Sequence, residues 1–313
     1  MRLGIVFPGQ GSQLVGMGVD VAAASPLAAD IFARAERVLG YDLLEVVRDG
    51  SDEMLRETRY SQPAIYVTNY ALAVASGCVE QCVASAGHSF GEYCSLTIAG
   101  SLTYEEALGL VNQRALAMQE AADRAPGGMA AILGLGADAV RAAVAAAAGT
   151  GRVQLANFNA PGQIVVSGDL AAVRRAGELA TEAGAKRVVA LNVSGAWHSE
   201  LMEPARIRFA PYVERATIGL PQFTVVSNVD AKPYTDVAMI RAHLVASVTS
   251  EVRWHETSER LIACGLDAIV EFGASPVLAP LLRRVTSAPK VQHAGDASAI
   301  ARLRAALSGG EAA

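Results

Sequence analysis

Residues 82–91 read Cys82-Val83-Ala84-Ser85-Ala86-Gly87-His88-Ser89-Phe90-Gly91. The run from Cys82 to Ala86 is short and apolar, Gly87 closes it, and a helical pattern follows from Gly91 to about Ala99. Gly87 to Gly91 therefore fits G-x-S-x-G in the strand–turn–helix setting that this motif requires. A serine at such a turn projects its hydroxyl above the sheet. Small residues on both sides let the chain turn tightly, and the helix start aims N–H groups and a positive dipole end at developing negative charge. The stretch predicts an α/β sheet with Ser89 as its nucleophile.

The flanking sequence extends this pattern. Leu3 to Phe7 is another apolar run, closed by Pro8-Gly9-Gln10-Gly11, which suits a buried strand entering a tight loop. Thr103-Tyr104-Glu105-Glu106 is a capping box with Thr103 as N-cap. Leu108, Val111, Ala115, Met118 and Ala122 then recur at helical spacing. Phe223 to Val226 and Ala268 to Phe272 read as further strands. Strand followed by helix, repeatedly, predicts a mostly parallel sheet covered by helices.

The middle of the chain reads differently. Met129 to Leu135 is strand-like and Ala137 to Ala148 helical. Val153 to Ala156 and Gln163 to Ser167 look like strands joined by the loop Asn157 to Gly162. Leu170 to Ala183 is helical and Arg187 to Val193 strand-like. This β-α-β-β-α-β order predicts a ferredoxin-like unit over residues 126–193, inserted into a larger domain made of residues 1–125 and 194–313. Ser308 to Ala313 reads as a polar, Gly-rich tail.

Composition narrows the function. With 313 residues, 52% apolar and 18% charged, the chain has ample material for a core and no disorder signature. A net charge of −5 argues against a nucleic-acid binder. Cys78, Cys82, Cys94 and Cys264 form neither a disulfide framework nor a zinc spacing, so buried reduced thiols are expected. The N-terminal apolar run is too short for a signal peptide or a membrane span, which predicts a cytoplasmic protein. Gly9-Gln10-Gly11 lacks the further glycine of a dinucleotide loop and the lysine of a phosphate loop, so no cofactor is expected.

A serine nucleophile needs a base. His88 adjoins Ser89 and should point elsewhere. His198 follows a strand end and a short loop, where catalytic groups gather in such sheets, although spacing alone equally allows a packed loop histidine. His243, His255 and His293 fall in or beside charged helical stretches and read as solvated or structural. Arg114 lies ~40° around its helix from Met118, at the border of the apolar stripe. Spacing alone favours an arginine reaching water there over a buried carboxylate clamp.

The blocks Val6 to Gln13, Gly87 to Tyr93, Leu110 to Arg114, Asn157 to Gly168 and Ser194 to Met202 together resemble the bacterial malonyl-CoA:acyl-carrier-protein transacylases, over nearly the whole chain. The resemblance implies an α/β-hydrolase-like domain carrying a ferredoxin-like insertion. It also implies transfer of malonyl from malonyl-CoA, through an ester on Ser89, to the phosphopantetheine thiol of holo acyl carrier protein. His198 would be the base, and the backbone N–H groups of Gln10 and Phe90 the oxyanion hole. Arg114 would bind the malonyl carboxylate, and Gln62, Asn159 and Gln163 would line the cleft. Lys186-Arg187 and Arg283-Arg284 are candidate docking patches for the acidic carrier protein.

Some positions depart from the family pattern. The residue whose carbonyl orients the histidine, often Gln, falls at Ser247. Glu251 stands where Pro is common, and Phe90 where Leu is usual. Phe90 and Trp197 are bulky, so malonyl is expected over methylmalonyl. Three alternatives remain: an acyltransferase of a polyketide pathway, a proofreading acyl hydrolase, and a non-catalytic carrier-protein-binding module. The presence of Arg114 counts against the hydrolase, and the joint presence of Ser89, His198 and Arg114 against the module.

Overall fold

The computed structural model describes residues 1–308, so of the expected tail only Ser308 is described, as the end of a helix from Ala297; residues 309–313 lie outside the described residues. Strand β1 (Leu3–Phe7) is fully buried, and β2 (Cys82–Gly87) nearly so. They pair in parallel, with Phe7 opposite Gly87. Strands on which helices pack from both sides are built mainly of apolar residues, which is why these two were legible; the polar Ser85 in β2 is buried with its hydroxyl bonded to Ile5 O and Ser95 Oγ.

The chain then leaves this sheet and builds a separate one. Its strands are β3 (Gly128–Leu133), β4 (Val153–Ala160), β5 (Gln163–Gly168) and β6 (Arg187–Ala190), antiparallel in the order β4-β5-β3-β6. Helices Ala137–Ala147 and Leu170–Glu182 fall between β3 and β4 and between β5 and β6. Afterwards the chain returns to the first sheet with β7 (Thr224–Val226), β8 (Ala268–Phe272) and β9 (Lys290–Ala294), completing the parallel order β7-β2-β1-β8-β9.

Period-two alternation divides the work of each sheet. In the parallel sheet, Leu3, Ile5 and Phe7 join one core, and Val6 packs with Trp254, Leu278 and Leu282 in another. In the antiparallel sheet, Ala130, Ile132, Ile164 and Val166 pack with Val140, Val144, Val173 and Ala176 of the sheet's own helices. Met129 and Val165 point the other way, into the cavity above the parallel sheet. The small sheet is thus a roof over the C-terminal edges of β1 and β2.

Two expected boundaries move. The loop foreseen at Asn157 to Gly162 is largely strand, because β4 runs on to Ala160 and only Pro161-Gly162 turns. A register shift between Leu155 and Asn157 lets Leu155 join the helical core while Asn157 faces the cavity. β6 stops at Ala190, short of Val193. His293 lies on strand β9, not in a helical stretch, with Nε2 at 2.7 Å from the Gly273 carbonyl. No helix among the described residues is long and apolar enough to cross a membrane.

Candidate active site

Ser89 sits in the turn between β2 and the helix Gly91–Ile98 with φ 53°, a left-handed conformation unusual for a residue with a Cβ. The flanking glycines follow from close approach. A Cβ on Gly87 would overlap the Gly91 and Glu92 backbone, and one on Gly91 the Phe7 carbonyl. The strained turn costs about 1–2 kcal/mol. Asn228 offsets it: its Oδ1 accepts from Ser89 N–H at 3.2 Å and its Nδ2 donates to Gly87 O at 2.7 Å. Two such bonds contribute about 1 kcal/mol each.

His198 faces this serine, with Nε2 at 2.8 Å from Ser89 Oγ. Its own φ is 58°. Its loop is tied down on both sides: Ser199 Oγ donates to Ala196 O at 2.7 Å, and Gln154 Nε2 donates to His198 O at 3.2 Å and Thr249 O at 3.3 Å. The ring's other nitrogen, Nδ1, lies 3.0 Å from Ser250 O. The backbone carbonyl of Ser247, the expected position, also acts on the ring, alongside the Ser250 carbonyl three residues on, where the chain runs beside β4.

Burial above all, then the charges of Arg114 and His88, hold the His198 imidazole well below its ordinary value, at about 3, against the pull of the Ser250 and Ser247 carbonyls. The ring is therefore neutral at pH 7, as a base must be. Burial also lowers His88, whose Nε2 is 2.8 Å from Asn159 Oδ1. His88 thus points away from Ser89 Oγ, as its position beside it required.

Arg114 is only 1% exposed, so the solvent-reaching alternative is ruled out. Nη1 donates to Gln62 Oε1 at 2.9 Å, while Nε and Nη2 have no partner among the described residues. No carboxylate among these residues forms an ion pair with it, and burial lowers its proton affinity. A buried guanidinium with two unsatisfied nitrogens lacks a carboxylate-sized partner.

The cavity between Ser89, His198 and Arg114 holds about 150 Å³, and Gln10, Met118, Asn159 and Trp197 are among its other walls. The N–H groups of Gln10 and Phe90 donate to nothing among the described residues, and Phe90 is the N-cap of the helix behind Ser89. Phe90 packs its ring 5.9 Å from the Arg114 guanidinium carbon. The arrangement provides an activated hydroxyl, donors beside it and a cationic end wall, which suits acyl transfer of a group bearing a carboxylate.

Other expected residues take different places. Gln62 reaches the site only through Arg114 and Met118. Gln163 does not line the cavity; its Oε1 accepts from Arg284, which also donates to Pro161 O at 2.6 Å. Arg283 donates to Val291 O at 3.0 Å. Arg284 therefore joins the helix Leu278–Val285 to the roof. Lys186 and Arg187 are exposed at the start of edge strand β6. Asn228, Gln154 and Asn157 were missed. For Asn228 the available signal was a polar residue just past a strand's C-terminal end.

Residues 5–306 match the acyl transferase domain family. A malonyl CoA-acyl carrier protein transacylase from Haemophilus influenzae is 40% identical over 287 residues, 91% of this chain and 92% of that protein. An acyl carrier protein S-malonyltransferase structure from Vibrio cholerae is similar with a TM-score of 0.91 at 38% identity, covering 97% of this chain and 100% of that one. A malonyl-transacylase solved in complex with its type II PKS acyl-carrier protein also gives 0.91, at 37% identity over 98% of this chain and 100% of that one.

Proposed function

The chain belongs to the acyl transferase domain family and is an acyltransferase, and from that premise we propose that it moves malonyl from malonyl-CoA to the phosphopantetheine thiol of acyl carrier protein through an ester on Ser89. The observation that carries the malonyl assignment is Arg114, buried at the cavity wall with Nε and Nη2 unpartnered.

Chemistry follows from the geometry. Ser89 Oγ attacks the thioester carbonyl as its proton passes to His198 Nε2. Gln10 and Phe90 N–H groups hold the oxyanion. When the C–S bond breaks, the imidazolium returns the proton to the leaving thiolate. The carrier-protein thiol then gives its proton to His198 and attacks the ester, and the same proton restores Ser89. Arg114 holds the malonyl carboxylate in both halves. Leaving a buried charge unpaired costs about 3–5 kcal/mol, whereas a size difference of one methylene is worth about 1–3. Charge, more than size, sets the preference over acetyl.

The finer description of the fold belongs to the same reading. Residues 1–125 and 194–308 form an α/β-hydrolase-like domain, and 126–193 a ferredoxin-like insertion. Their strand orders support this. Trp197 at the cavity wall supports a preference for malonyl over methylmalonyl, and a cytoplasmic location suits these substrates. Similarity to the transacylase solved with a type II PKS carrier protein supports a polyketide carrier as the second reading.

Intact-mass measurement after mixing with malonyl-CoA tests the core claim. One malonyl adduct is expected, and it disappears in Ser89→Ala. An adduct that survives this substitution sinks the assignment.

A further inference from the structure

Strand β7 pairs with β2 so that Val226 lies opposite Ala86. Two residues further on, Asn228 comes level with the turn that carries Ser89. Its side chain is 1% exposed and grips that turn from both sides, accepting from Ser89 N–H and donating to Gly87 O. One planar amide therefore spans the backbone around the left-handed residue. Both partners are backbone groups of fixed polarity, so a flipped amide would set carbonyl against carbonyl and N–H against N–H.

Asn228 is itself fixed. Its N–H donates to Glu92 Oε1 at 3.2 Å, and the Tyr234 hydroxyl donates to the same oxygen at 2.8 Å. Arg253 N–H donates to its carbonyl at 3.0 Å. Glu92 lies in the first turn of the helix behind Ser89, so the network closes on the element that supplies the Phe90 N–H. The bond to Asn228 also occupies the N–H of the serine itself. That leaves Phe90 and Gln10, not Ser89, as backbone donors toward a tetrahedral oxygen.

We propose that Asn228 is a positioning residue for acyl transfer: its amide holds Ser89 in the left-handed turn that sets Oγ against His198, and it keeps Ser89 N–H out of the oxyanion hole. The proposal rests on Ser89 being the nucleophile. It predicts a loss in the chemical step and none in substrate binding, because Asn228 does not itself line the cavity and reaches it only through the backbone around Ser89. A misplacement of about 1 Å at a reacting atom costs on the order of 100-fold in rate.

The test is single-turnover acylation by malonyl-CoA, followed by intact mass from pH 5 to 8, with circular dichroism at each pH. Asn228→Ala is expected to acylate on the order of 100-fold more slowly, with KM for malonyl-CoA within about twofold. Asn228→Asp adds a finer readout. When protonated, its carboxyl can donate to Gly87 O and accept from Ser89 N–H, as the amide does. When ionised, it cannot donate. Of the titratable groups around it, the Glu92 and Asp230 carboxylates, like burial, favour the protonated form. Tyr234 stays neutral over this range, and the basic groups nearby are His243, bonded to Ser227, and Arg253, whose N–H donates to Asn228 O. Near wild-type acylation at low pH, falling toward the Ala level as pH rises with the fold intact, supports the proposal. Wild-type rates in Asn228→Ala, an Asp profile parallel to wild type, or activity lost only together with the fold would each overturn it. Absence of a wild-type adduct on Ser89 would instead defeat the underlying assignment.

Discussion

Arg114 Nη1 donates to Gln62 Oε1 at 2.9 Å, and Gln62 is neutral, so the guanidinium is oriented without being neutralised. Its charge is left for the ligand. Arg114→Ala is expected to slow acylation by malonyl-CoA by roughly two to four powers of ten, and to abolish the preference over acetyl-CoA. Gln62→Glu is expected to supply a carboxylate internally, weakening malonyl transfer and improving acetyl transfer relative to it. Paired intact-mass rates with the two thioesters check both. A malonyl preference that survives Arg114→Ala would mean that the carboxylate binds elsewhere.

His198 carries the second expectation. Its proton affinity is held down to about 3, first by burial and then by the charge of Arg114. An ordinary histidine would be only about 3% neutral at pH 5. Here kcat/KM for malonyl-CoA, which reports the free enzyme, should stay nearly level from pH 8 down to pH 5. Removing the Arg114 charge should raise the affinity, so the acid limb of Arg114→Ala should move upward. A wild-type limb near 6.5 would contradict the described environment.

Glu92 gives a stability prediction of opposite sign. Burial raises its carboxyl to about 7, although Asn228 and Tyr234 donate to it. A folded value above the unfolded one favours the protonated form. Its stabilising effect is therefore full below about pH 4.5 and lost as pH rises through about 7, on the order of 3 kcal/mol. Glu92→Gln keeps an acceptor for both donors and removes the ionisation. It should raise the denaturation midpoint at pH 8 and change it little at pH 4. His198, lowered on folding, acts in another window: its contribution is full above about 6.5 and is lost as pH falls toward 3.

What was legible in the sequence follows from burial. Leu3–Phe7 and Ala268–Phe272 read correctly because strands covered on both faces are built mainly of apolar residues; the one charged residue in them, Glu271, is buried with its carboxylate accepting from Val277, Leu278 and Ala279 N–H. Thr103 capped its helix as its box required, accepting from Glu106 N–H at 3.2 Å. Ser89 was visible because its turn imposes a local pattern. The helix Thr58–Ser76, which bears Gln62, was missed because it is buried on nearly every face and carries no apolar stripe. Asn157 and Asn159 made β4 look like a loop, yet they are polar because the strand serves the site. Asn228 meets Ser89 across 139 residues, and no local spacing encodes that contact.

Arg284 separates the two candidate docking patches. It ties the Leu278–Val285 helix to the β4–β5 turn through Gln163 and Pro161, so it is part of the scaffold around the cavity. Lys186 and Arg187, at the start of edge strand β6, are exposed, and among the described residues their side chains make no such tie. Reversing the charge at Lys186 and Arg187 should therefore slow transfer to carrier protein, most at low salt where steering is strongest, and leave self-acylation by malonyl-CoA within about twofold. Arg284→Glu should slow both steps, because it loosens the roof as well as changing the surface. Stopped-flow self-acylation and carrier-protein transfer, each measured at low and high salt, distinguish the two. If reversal at Lys186 and Arg187 leaves transfer unchanged at low salt, the carrier protein does not dock along β6.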